Sequence, residues 1–142
     1  MKKKLPYVMI LVFALAAVMF AGLWVHEKNE KTEWMEALCE NSVQQSREHF
    51  TAYEKGGAEE EYWYGAAEYN SFMKAYTLLC DGAQQPDRNE LNKAYGSMVL
   101  DAENVQENME PLLAALTLLS EDIYDPDGMI RMNEFNHAME KN

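Results

Sequence analysis

The chain has 142 residues, with 12 Lys and Arg against 24 Asp and Glu and a formal net charge of −12. Such a balance repels phosphate backbones and sets nucleic acid aside as a partner. Two cysteines, with no CxxC pair or Cys/His cluster, argue against zinc or haem.

Three lysines, Lys2 to Lys4, precede an uncharged apolar run of 21 residues from Leu5 to Val25. At about 1.5 Å rise per residue such a helix is roughly 31 Å long, close to the ~30 Å hydrocarbon core of a bilayer. Pro6 suits a first helical turn, and Tyr7 and Trp24 suit the two headgroup regions. The expectation is a single-pass anchor that puts residues 5–25 in the membrane. The lysines then keep the N-terminus cytoplasmic and place the bulk of the chain outside the cytoplasm. The alternative, secretion after signal cleavage, fits less well because the run is long and no polar cleavage region follows.

This divides the chain into residues 1–25, a lysine stub and transmembrane anchor, and residues 26–142, one small extracytoplasmic domain. The second part holds all 24 acidic residues and 9 of the 12 basic ones, so it carries −15. Cationic partners or divalent cations suit that charge, although a solvated acidic surface is the plainer reading.

The fold class expected is all-α: an N-terminal transmembrane helix, an antiparallel bundle of four helices, and a short C-terminal helix after an EF-hand-like turn. β-Branched residues are sparse and no period-2 stretch proposes a strand. Helix one is predicted over about 27–55, with the seam Cys39, Val43, Ser46, Phe50, Tyr53 stepping by 4 and 3. Gly56-Gly57 ends it as a C-cap pair. Helix two runs over about 58–80, with three glutamates in its first turn and the seam Tyr62, Ala66, Tyr69, Met73, Tyr76, Cys80. Asp81-Gly82 stops it. Helix three covers about 86–108, with Leu91, Tyr95, Met98, Ala102, Val105 and Met109 in step. Helix four covers about 111–122 and is apolar on most sides. A turn at Asp125-Pro126-Asp127-Gly128 then leads to a last helix over about 132–141.

The segment from Asp125 to Phe135 resembles most of an EF-hand calcium loop. Aligned on Gly128, the resemblance implies calcium ligands at Asp125, Asp127, the Met129 backbone carbonyl and Glu134. Ile123 stands where the loop normally begins with Asp, and Arg131 opposes a cation. Calcium is therefore the one cofactor considered, and an ordinary turn is the rival reading. Glu134-x-x-His137 has the spacing of a di-iron pair, but the chain supplies no second such pair. The segment Leu91-Asn92-Lys93-Ala94-Tyr95 is similar to a short LNxAY stretch of a family of exported lysozyme inhibitors. That family's Gln-x-x-Trp and Arg-Asp-x-x-Cys features are missing here.

Cys39 and Cys80 are a candidate disulfide if the domain is exported. The expected register of helices one and two sets them about six residues, or roughly 9 Å, apart along the axis, against the ~7 Å that a disulfide allows; a longer turn, with helix two starting at Tyr62, removes that offset. Trp63 and Tyr64 fall off the core seam and are the candidate contact surface. No nucleophile triad, phosphate loop or metal ligand set is present. The function expected is that of a membrane-anchored, non-catalytic binding or scaffolding protein with an unknown protein partner; a calcium-binding module over residues 123–134 is the alternative.

Overall fold

A computed structural model describes residues 5–80 and 85–141, with side chains over 15–80 and 87–141. Lys2 to Lys4 and the Asp81-Gly82 stop lie outside the described residues. Six helices follow in order: α1 Leu5–Glu54, α2 Glu59–Leu79, α3 Gln85–Leu100, α4 Ala102–Glu107, α5 Met109–Glu121 and α6 Pro126–Met139. The described residues contain no strand. The chain divides into two compact units, Met1–Trp34 and Met35–Asn142, and the division falls within α1.

The expected membrane anchor is corrected here. Among the described residues no helix is long and apolar enough to cross a membrane. The side chains of residues 5–14, half of the apolar run, lie outside the described ones. Residues 15–25 alone would make roughly 16 Å of helix, about half of a bilayer core. Beyond them the first unit is charged: His26 pairs with Glu30 at 3.2 Å, and Lys28 Nζ lies 5.7 Å from the Trp24 ring centroid.

The second unit is a helical bundle whose directions can be read from its side-chain contacts. Between α1 and α2, Ser46 Oγ donates to the Gly65 carbonyl at 2.8 Å, and Phe50 and Tyr53 set their rings edge-on to Tyr62. The turn joining the two helices is a Schellman cap. Gly56 takes φ +90°, and the Gly57 N–H reaches back to the Ala52 carbonyl at 2.9 Å. Between α2 and α3, Tyr62 Oη donates to the Met98 carbonyl and Tyr69 Oη to the Leu91 carbonyl, at 2.8 and 3.2 Å. Position rises along α2 as it falls along α3, so these two helices are antiparallel.

The C-terminal helix α6, for which the sequence set no direction, lies beside α3. Asn136 meets Glu90 and Glu140 meets Lys93, so position rises along both helices together and they run parallel. This brings the first turns of α3 and α6 to the same end of the bundle. Helix three also breaks earlier than its seam predicts. Asp101 leaves helical geometry at φ −142°, and Asn104 Nδ2 holds its carboxylate at 3.1 Å. Short, polar Asp competes for its own backbone in this way and favours helix ends.

The last helix starts six residues earlier than expected. Asp125 caps it, accepting the Asp127 N–H at 2.8 Å, and Pro126 takes the first helical position, where it needs no donor.

The core is rich in phenols. Tyr62, Tyr69 and Tyr76 are buried, and burial pushes each hydroxyl above its usual value of 10.0. Below pH 10 these groups are neutral both folded and unfolded. Above it the unfolded chain releases protons that the folded chain holds, so stability falls as pH rises. Urea melts are expected to keep one midpoint between pH 7 and 9 and to move steadily lower above pH 10.

Candidate functional site

A cleft of about 500 Å3 opens at the end of the bundle where the last turns of α2 meet the first turns of α3 and α6. Two rings form one wall: Tyr76 from α2 and Tyr124 from the α5–α6 linker, with centroids 6.4 Å apart and planes at 46°. The linker is held by its own polar groups, because Asp122 Oδ1 accepts the Tyr124 N–H at 2.9 Å and Tyr124 Oη donates to Glu36 at 3.0 Å. Pro126, Met129 and Ile130 supply the apolar surface, and Ile130 is an exposed hydrophobic.

Three carboxylates and one amide complete the lining: Asp87 and Glu90 from α3, and Asn133 and Glu134 from α6. Their environments differ. Glu134 accepts from Arg131 at 2.8 Å, one turn away on its own helix, with both side chains about half exposed. Such a pair contributes about 0–1 kcal/mol and exchanges freely. Asp87 sits in the first turn of α3, where the helix end favours its charge, and has no salt bridge among the described residues.

Glu90 is fixed from behind. Asn136 Nδ2 donates both to its carbonyl oxygen at 2.9 Å and to its Oε2 at 2.8 Å, while Lys93 Nζ lies 3.7 Å from Oε1. Asn136 is 4 % exposed, and its Oδ1 has no hydrogen-bond partner among the described residues.

The expected calcium ligands do not converge. Because α6 begins at Pro126, Met129 and Glu134 are helical, and Asp127 and Glu134 lie about 10 Å apart along the axis. Calcium–oxygen distances of roughly 2.4 Å need ligands gathered within a few ångströms. Asp125 caps the helix instead, accepting the Asp127 N–H. The described residues hold no group of three or more His, Cys, Asp or Glu placed for a metal ion. His137 pairs with Glu140 at 3.5 Å and Glu134 with Arg131, so the two residues of the Glu-x-x-His motif turn to different neighbours.

No bond joins Cys39 and Cys80, the candidate disulfide, in this structure. Burial first, and then the neighbouring Cys80, pushes the Cys39 thiol up to about 12, while burial raises the half-exposed Cys80. Iodoacetamide at pH 8 is expected to label Cys80 slowly in the folded chain and Cys39 only after unfolding, as read by peptide mass mapping.

Trp63 and Tyr64 are exposed as expected, at 44 % and 56 %, on the opposite end of α2 from the cleft. Tyr64 leans on His49, which meets Glu61 at 2.6 Å. About 20 Å of helix separates this surface from Tyr76. The cleft was not anticipated from the sequence: Tyr76 reads as core, Asp87 and Glu90 carry no motif, and Glu134 enters only as a candidate calcium ligand.

The fold and site together define a helical bundle with a ligand-sized acidic and aromatic cleft at one end. No protein-family model, curated protein or solved structure matches the chain.

Proposed function

We propose that the chain is a non-catalytic helical binding module for a positively charged protein partner. The observation that carries this reading is the cleft, whose volume falls within the ~300–1,000 Å3 of ordinary ligand pockets and whose polar groups are mainly carboxylates. The charge of the whole chain acts in the same direction. A net −12 attracts cationic segments at long range and repels anionic ones. The apolar surface of Met129 and Ile130 beside the carboxylates suits a long side chain with an aliphatic stem and a charged head.

Calorimetric titration of the full chain with a short lysine-rich peptide, and with a glutamate-rich peptide of the same length, tests the reading. The lysine peptide is expected to bind and to weaken severalfold between 50 and 300 mM salt. Equal heats from both peptides, or none from either, would contradict it.

A further inference from the structure

We infer that the cleft takes an aliphatic ammonium group, and that Asn136 is the positioning residue that holds Glu90 ready for it. This rests on the binding-module reading and adds the chemistry of the group recognised. Asn136 makes an arrangement that stability alone does not favour. Its nitrogen holds Glu90 through two hydrogen bonds, while its oxygen is buried with no partner among the described residues. A buried unpaired acceptor costs free energy, and an apolar side chain of similar volume would avoid that cost. What the arrangement secures is one carboxylate oxygen fixed at the cleft wall.

The rest of the lining suits the same group. Tyr124, 46 % exposed, brings an aromatic ring to the cleft against the buried Tyr76, and ammonium groups are drawn to such rings. Met129 and Ile130 give an aliphatic stem something to cover. Asp87 adds a charge that no cation among the described residues pairs within 4 Å. The pairs Arg131–Glu134 and Lys93–Glu90 are partly exposed, so an incoming ammonium can exchange with them. A compact divalent ion is poorly served by the same walls, because apolar and aromatic groups offer it no oxygen.

The experiment is a chemical-shift titration of the full chain with n-butylammonium, with the capped peptide Ala-Lys-Ala, and with n-pentanol as the neutral isostere. Both ammonium probes are expected to move the amides of Asp87, Glu90 and Ile130 with roughly millimolar affinity, and pentanol to leave them still. Tighter binding of the peptide assigns the source to a lysine of a protein partner; equal or tighter binding of butylammonium assigns it to a free amine. Either result supports the chemistry.

Asp87→Asn is expected to weaken both probes about tenfold. Asn136→Leu is expected to leave the melting temperature within about 3 °C, since it removes the orphaned oxygen along with the two bonds, yet to weaken both probes about fivefold. A purely structural Asn136 would move the melting temperature and not the affinity. Unmoved cleft amides, equal shifts with pentanol, or affinities unchanged in both variants would overturn the inference. If lysine-rich peptides still bind calorimetrically in that case, the binding-module reading stands and only the cleft assignment falls.

Discussion

Replacing Phe50 with alanine is expected to cost the bundle about 3–5 kcal/mol, measured as a shift of the urea midpoint at unchanged slope. Phe50 is fully buried, and its ring meets Tyr62 edge-on at 5.4 Å. It also lies flat against Gly65, so that a Cβ built there would come within 3.0–3.1 Å of three ring atoms. The ring therefore fills the space that the missing side chain of Gly65 leaves between α1 and α2. That fit predicts strong coupling. Gly65→Ala alone is expected to destabilise, because the ring is enclosed and cannot move aside. In the Phe50→Ala background it is expected to be neutral or stabilising, since alanine is the better helix former by about 1 kcal/mol. A loss under 1 kcal/mol for Phe50→Ala, or simple additivity of the two changes, would contradict this packing.

Gly128→Val is the second large effect, at about 2 kcal/mol or more. Helix propensity acts in the opposite direction here, because Gly128 lies inside α6 and costs the helix up to ~1 kcal/mol relative to alanine. Sterics outweigh it. An added Cβ would lie 2.9 Å from both Cγ and Cδ2 of Leu119 and 3.4 Å from Leu118 Cβ. Leu119 is fully buried, so its displacement disturbs the α5–α6 contact. Leu119→Ala carries its own cavity cost but is expected to remove most of the penalty of Gly128→Val, which a double-mutant cycle reads directly. If valine at 128 left stability unchanged in the native background, α5 and α6 would not be as close as described.

The glycine at 128 also shows where sequence reasoning stops. Asp125-Pro126-Asp127-Gly128 reads as a turn, since all four residue types favour turns. The same four residues are a good helix start: a capping Asp, Pro at the first position and an Asp in the first turn. What decides between them is the close approach of Leu119, which asks for glycine at 128 and is invisible in a linear pattern.

Where a heptad seam faced the core, the sequence was legible. Tyr62, Ala66, Tyr69, Met73 and Tyr76 are all buried, and α2 lies within one residue of its expected bounds at both ends. The break at Asp101 was missed because the seam continues in step through it to Val105 and Met109, both buried.

The parallel course of α3 and α6 was beyond reach for a different reason. Loop lengths constrain neighbours in the chain, and these two helices are separated by α4 and α5. The cleft follows from that long-range pairing. Tyr76, Asp87, Tyr124 and Glu134 lie far apart in the chain; the first three carry no local signal of a pocket, and the motif around Glu134 points to calcium instead. The apolar run from Leu5 to Val25 misled in the opposite sense: composition alone proposed a span, yet among the described residues no helix is long and apolar enough to cross a membrane. Trp63 and Tyr64, by contrast, are as exposed as their off-seam positions required.

The central claim is that the acidic and aromatic cleft recognises positive charge. The measurement that tests it most directly compares amide shifts of the full chain under capped Ala-Lys-Ala and capped Ala-Glu-Ala at matched concentrations. The lysine peptide is expected to move Asp87, Glu90, Tyr124 and Ile130, and the glutamate peptide none of them. Shifts confined to Trp63 and Tyr64, or the same shifts with both peptides, would contradict it.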